Sequence, residues 1–181
     1  PMELTGGAAL LGVLTRMVLR GQLISLCFSI FMILLIMTLV FRSVTGGLLA
    51  TLPMVASVIM MFGLMGYLDI PLNMTTSMLT GILVGVGVDY TVHFLWHLRE
   101  HIKSGDSLDD AIATTLRISG KGILFNGLSV IIGFSALLFS VFVPVQIFGI
   151  LVMGSISLCL FGALATLPAL ISLINPKFLY R

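Results

Sequence analysis

Charge is what this chain has least of. Only 9% of its 181 residues are charged, where soluble domains carry roughly 25%, so there is too little polar surface to clothe a water-soluble globule. No basic run interleaved with aromatics occurs, which removes nucleic acid as a partner. Cysteine is nearly absent too. Cys27 and Cys159 both sit in apolar runs, where a thiol behaves as a small hydrophobe, and neither belongs to a CxxC or His/Cys spacing that would hold a metal. No nucleophile–base pair, phosphate-cradling loop or second carboxylate partners the single acid of the apolar runs. The sequence therefore indicates no enzyme, no cofactor and no metal. The opening PMELTGG lacks the basic n-region of a signal peptide, and its Pro-Met start reads as a segment following something longer.

Apolar residues are abundant: 59% of the chain is hydrophobic and the mean hydropathy is +1.21. A helix needs about 20 apolar residues to cross the hydrocarbon layer. Residues 23–41, 46–68, 72–98, 122–142 and 145–174 meet that length or approach it. The expected fold is an all-α membrane protein in three parts: an amphipathic lead-in over residues 1–21, a five-helix transmembrane domain over 22–175, and a tail over 176–181. Pro53 and Pro168 lie inside apolar runs. Membrane helices accept them because neighbouring groups satisfy the freed carbonyls, so kinks are expected there, not ends.

Three connectors are short: FRSVTG, the DIP turn and SVFVPV. The longer link, residues 99–121, contains Ser107-Leu-Asp-Asp110, an N-cap with an acid at N3 that predicts a helix over Leu108–Ile118. Its apolar positions recur at helical spacing, as expected of an amphipathic helix lying on the membrane surface. Residues 6–20 form a second amphipathic stretch, too short and too charged to span. With five spans, Arg42, Arg99, Lys103, Arg117, Lys121, Lys177 and Arg181 share one side, against Arg16 and Arg20 on the other. The positive-inside rule puts the richer side, and the C-terminus, in the cytoplasm.

Between Arg42 and Arg99 the only charged residues are Asp69, in a turn beside Pro71, and Asp89. Asp89 precedes Arg99 by about 15 Å of helix, near the middle of a layer about 30 Å thick. A charged Asp there costs about 2.5–3.5 kcal/mol, so it is expected to face the bundle interior, and a proton would remove the cost. Asp89 is thus a candidate proton-coupling carboxylate; the competing reading is a permanently neutral acid that glues helices together. Gly81, Gly85, Asp89, His93, His97 and His101 recur every four residues. At 100° per residue the ladder winds around the helix, so Asp89 and His93 can touch while His101 belongs to the surface. His93 is either a second proton stop or an interfacial anchor beside Trp96. The diverging geometry argues against a zinc site. Gly81, Gly85 and Gly87 permit close helix approach. Asn126 and Ser129 of the fourth span are the available polar partners for Asp89, with Asn126 also placed to line an access path. Thr75, Thr76 and Ser77 read as hydroxyls bonded back to their own helix.

These residues resemble a known family. G-V-G-V-D-Y-T-V-H-F, preceded by I-P-L-N-M-T-T-S, is similar to the fourth helix of a half-repeat in the RND superfamily, above all the MMPL-type predicted exporters. F-R-S-V-T-G-G-L-L-A-T-L-P resembles the junction of the second and third helices, and S-L-D-D-A-I-A-T-T-L-R-I-S-G-K-G-I-L-F-N the link into the fifth. G-F-S-A-L-L-F-S-V-F-V-P resembles the outer end of that fifth helix. The likeness implies a proton-driven transporter of lipids or other hydrophobic compounds in the bacterial inner membrane. It puts the family's Asp-Tyr pair on Asp89 and Tyr90, the Asp of one half bonding to the Tyr of the other, with Gly85 as the glycine of G-x-x-x-D. It further implies a second half, either upstream in the same chain or a second copy, and a periplasmic porter domain outside this chain. The same five-helix unit underlies sterol-sensing domains, so a lipid-binding or regulatory module is the rival expectation.

Overall fold

The computed structural model describes the backbone of residues 2–71 and 74–180, and their side chains apart from residues 2–11, 15, 74, 75 and 177. Every regular element is helical: α1 (Met2–Phe41), α2 (Val44–Tyr67), α3 (Met74–Lys103), α4 (Leu108–Ser135), α5 (Val143–Phe161) and α6 (Leu167–Ile174). Among the described residues, five helical stretches are long and apolar enough to cross a membrane: Gly12–Phe41, Val44–Tyr67, Thr76–Lys103, Leu108–Phe139 and Val143–Ile174.

Local chemistry sets the turns. Arg42 takes a left-handed conformation, φ 49°, and Ser43 then caps α2, its hydroxyl accepting from Gly46 N at 3.5 Å. The expected cap at Ser107 is present: its Oγ accepts from Asp110 N at 3.3 Å and donates to Asp110 Oδ2 at 2.6 Å. At the α4–α5 turn, Gln146 Nε2 donates to Ser140 O at 2.7 Å. Asn175, φ 43°, ends α6.

Two of the sequence boundaries do not exist as breaks. The lead-in over residues 1–21 is not a separate helix, because α1 runs uninterrupted from Met2 to Phe41. No proline falls in that stretch, and the one glycine between Arg20 and Gln22 costs only about 1 kcal/mol in a helix. Likewise the helix beginning at Leu108 does not stop at Ile118 but continues through Gly120, Lys121 and Gly122 into the fourth span. Gly120 is buried beside Leu116 and Leu164, so packing offsets its poor helix propensity. That span closes in a tight 3-10 turn, Ala136–Phe139.

Pro53 stands inside an unbroken α2. Pro168 has a larger effect. Lacking an N–H, it cannot bond back one turn, and just before it the helix widens into a π turn, Gly162–Thr166, where Leu167 N–H donates to Gly162 O. The two prolines come close together. A Cβ on Gly162 would sit 3.1 Å from Cβ of Pro53, so glycine lets the widened turn rest closely against α2.

α3 is the centre of the bundle, packing against α1, α2, α4 and α5. About half of the α2, α3 and α5–α6 spans is buried, whereas little of the first or fourth is. Close contacts fix α3 in place: a Cβ at Gly87 would lie 3.1 Å from both Met54 Cγ and Cys159 Sγ. The C-terminal segment, expected as a tail, is packed. Phe178 and Leu179 are buried, and the Phe178 ring stands edge-on to Phe41 with centroids 5.7 Å apart. The end of the chain thus gathers at the α1–α2 turn, beside Arg42.

Candidate functional site

α3 has two faces. Leu83, Tyr90, Phe94, Leu95 and Leu98 point into the core. Gly81, Gly85, Asp89 and His93, one helical turn apart, lie on a face that no part of this chain covers. A Cβ on Gly81 or Gly85 would meet nothing within 4 Å. The three glycines therefore divide: Gly87 serves packing inside the bundle, while Gly81 and Gly85 leave an open strip.

The expectation that Asp89 faces the bundle interior is not met within this chain, since its side chain is 53% exposed. The reason is angular. Tyr90, Phe94 and Leu98 claim the inner arc of α3, and Asp89, 100° before Tyr90, turns outward with the glycines. His93 follows it there. Its Nε2 lies 3.3 Å from Asp89 Oδ1 and its side chain is 62% exposed. Tyr90 goes the other way: it is 1% exposed, and its hydroxyl has no hydrogen-bond partner among the described residues.

The lower histidines each find a different acid. His97 Nδ1 lies 3.5 Å from Glu100 Oε2, and His101 Nδ1 3.4 Å from Asp106 Oδ2. The ladder thus separates into individual His–carboxylate contacts. Among the described residues no group of three or more His, Cys, Asp or Glu could hold a metal ion.

A groove of about 270 Å³ runs between α3 and α4 beside the Asp89–His93 contact, lined by Asp89, Tyr90, His93 and His97 on one side. Ser119, Gly122, Ile123 and Asn126 line the other. Asn126 therefore lines the same groove as Asp89. Ser129 does not: it donates to Phe125 O at 2.8 Å on its own helix. Ser119 and Gly122 were not singled out from the sequence. Together with Ile123 and Asn126 they recur at i, i+3, i+4 and i+7, a single helix face. That pattern is visible only if one helix runs through Lys121. At the opposite end of α3, Thr76 Oγ1 donates to Pro71 O at 3.3 Å across the turn, while the side chain of Thr75 lies outside the described residues.

Chemically, a carboxylate beside an imidazole can share one proton between them. Five long apolar helices, four of them packed on a central one that turns an acid and a histidine outward, define a multi-pass membrane bundle. A family model for the MMPL family matches residues 1–179, and the chain belongs to that family as an MMPL/RND-type membrane unit. It is also similar to a Methanocaldococcus jannaschii protein named "Putative membrane protein MJ1562", 29% identical over 139 residues, which make up 77% of this chain and 36% of that protein. The chain thus spans little more than a third of that relative's length.

Proposed function

We propose that this chain is the transmembrane part of a proton-driven transporter that exports lipids or other hydrophobic compounds. The observation that carries the reading is the Asp89–His93 contact of 3.3 Å, at mid-span depth, on the one face of the central helix that its own chain leaves bare. An acid costs too much there as a fixed lipid-facing charge. A second half of the transporter, laid over this face, removes it from lipid and makes its protonation matter to how the halves fit. His93 then carries the proton onward through the Asn126-lined groove toward the basic end of α3. That basic end and the C-terminus face the cytoplasm of a bacterial inner membrane, and substrate is met by a periplasmic porter domain outside this chain.

The test uses the full-length protein in proteoliposomes with an imposed pH gradient and a fluorescent lipid. Asp89→Asn abolishes gradient-driven lipid movement while the protein still assembles in the membrane. Gradient-driven movement that survives Asp89→Asn sinks the reading. Lipid crosslinking to the bundle that persists without any transport in the native protein favours a sterol-sensing-type module instead.

A further inference from the structure

A second polar cavity, of about 170 Å³, lies between α1 and α3 at the end of the bundle away from Arg42 and Arg99, on the side of Arg16 and Arg20. Its polar lining is Gln22, Ser25 and Ser29 from α1 with Ser77 and Thr80 from α3, and Gly81 forms part of its floor. Gln22, Ser25 and Ser29 recur at i, i+3 and i+7, so α1 presents them as one face. In spans this apolar, that concentration of hydroxyl and amide groups needs a reason.

Several other hydroxyls in the spans bond back to their own helix. Ser57 donates to Pro53 O at 2.8 Å, Thr91 to Gly87 O at 3.0 Å and Ser155 to Leu151 O at 2.7 Å. Ser25 and Ser29 make no such bond among the described residues. Water satisfies such groups where a cavity is polar and roomy, each molecule taking about 30 Å³; this one has space for several.

Depth and direction complete the argument. Measured back along the helices from Arg42 and Arg99, Ser29 and Gly85 both lie about 20 Å from the basic end. The cavity therefore reaches the level of the bare strip, and Gly81 and Gly85, with nothing within 4 Å of a Cβ position, leave the way from it to Asp89 clear. We propose that Gln22, Ser25 and Ser29 hold a chain of waters that runs over Gly81 and Gly85 and delivers protons to Asp89 from the side opposite the basic end. The inference rests on the proton-coupling reading above, with the second half closing the strip against lipid. A proton passes along the waters by hydrogen-bond exchange and ends as the O–H of a neutral Asp89 carboxyl; no other group changes oxidation or bonding.

The experiment is cysteine accessibility in the full-length protein, with exposed Cys27 first replaced by alanine. S25C and S29C sample the cavity. I24C and F28C sample the lipid-facing side of the same helix, where Ile24 and Phe28 are 62% and 61% exposed. A membrane-impermeant, positively charged methanethiosulfonate is added from the side opposite the basic end. S25C and S29C react at least about tenfold faster than I24C and F28C, because only a thiol in contact with water ionises and attacks. Equal rates at the four positions overturn the passage, whatever Asp89→Asn does to transport. Fast labelling of S25C and S29C that persists with Asp89→Asn supports it, even where transport also persists and only the coupling reading falls.

Discussion

The inner and outer faces of α3 are built from the same helix and differ in everything else. The inner face is saturated: Tyr90, Phe94, Leu95 and Leu98 are at most 1% exposed, and Gly87 is there because Met54 and Cys159 leave no room for a larger residue. The outer face carries glycines with empty space above them and the only acid between Asp69 and Glu100. A helix that needed merely to pack would put its small residues where neighbours press and its charge at an end. α3 does the first on one face and reverses both on the other. The inner face explains how this bundle holds together; the outer face is unexplained by this chain alone.

The largest expected effect that tests this contrast is on transport. Asp89→Asn in the full-length protein reduces gradient-driven lipid movement to the level of protein-free vesicles, with membrane-inserted protein unchanged on a blot. A paired substitution comes next. Gly87→Leu overpacks the inner face and lowers stability by about 1–3 kcal/mol, measured by unfolding in mixed micelles. Gly85→Leu stays within about 0.5 kcal/mol of native in the same assay but weakens association with the second half. If the two glycines behave alike, the division of faces is wrong. Tyr90→Phe is smaller still: removing a buried hydroxyl without a partner leaves stability equal or raises it by about 1 kcal/mol, while transport falls if that hydroxyl acquires a partner when the halves move. Smallest is Ser129→Ala, which removes a hydroxyl bonded only to its own helix and shifts stability by no more than about 0.5 kcal/mol, with transport unchanged.

Much of the fold was legible in the sequence, for a physical reason. Uncharged runs of span length have no other use in so apolar a chain, so the five crossings and their order follow from composition, and the Ser107 cap follows from the S-x-x-D spacing. The Asp89–His93 contact was legible from helical spacing alone. The direction of that face was not. Periodicity reports which residues share a face but not which face a neighbour occupies, and here the arc of Tyr90, Phe94 and Leu98 wins the interior by bulk. Reading a break at Lys121 hid the alignment of Ser119 with Asn126. A lysine flanked by glycines looks like a linker, and only packing of Gly120 beside Leu116 and Leu164 keeps the helix intact. Gln22, Ser25 and Ser29 went unnoticed for a related reason: taking Gln22 as a span boundary separated it from the serines with which it shares a face.

The π turn at Gly162–Thr166 sets the phase of everything after it. One extra residue within a turn rotates the following helix by about 100°, and with that rotation Leu167 and Ile171 point inward, both fully buried. Deleting a single residue from 162–166 would restore ordinary helical winding and leave that stripe facing inward, whereas inserting one more after Thr166 would swing it by about 100° toward lipid and unseat Phe178 and Leu179 at the chain end. The last span therefore tolerates the loss of a residue at this turn better than a gain.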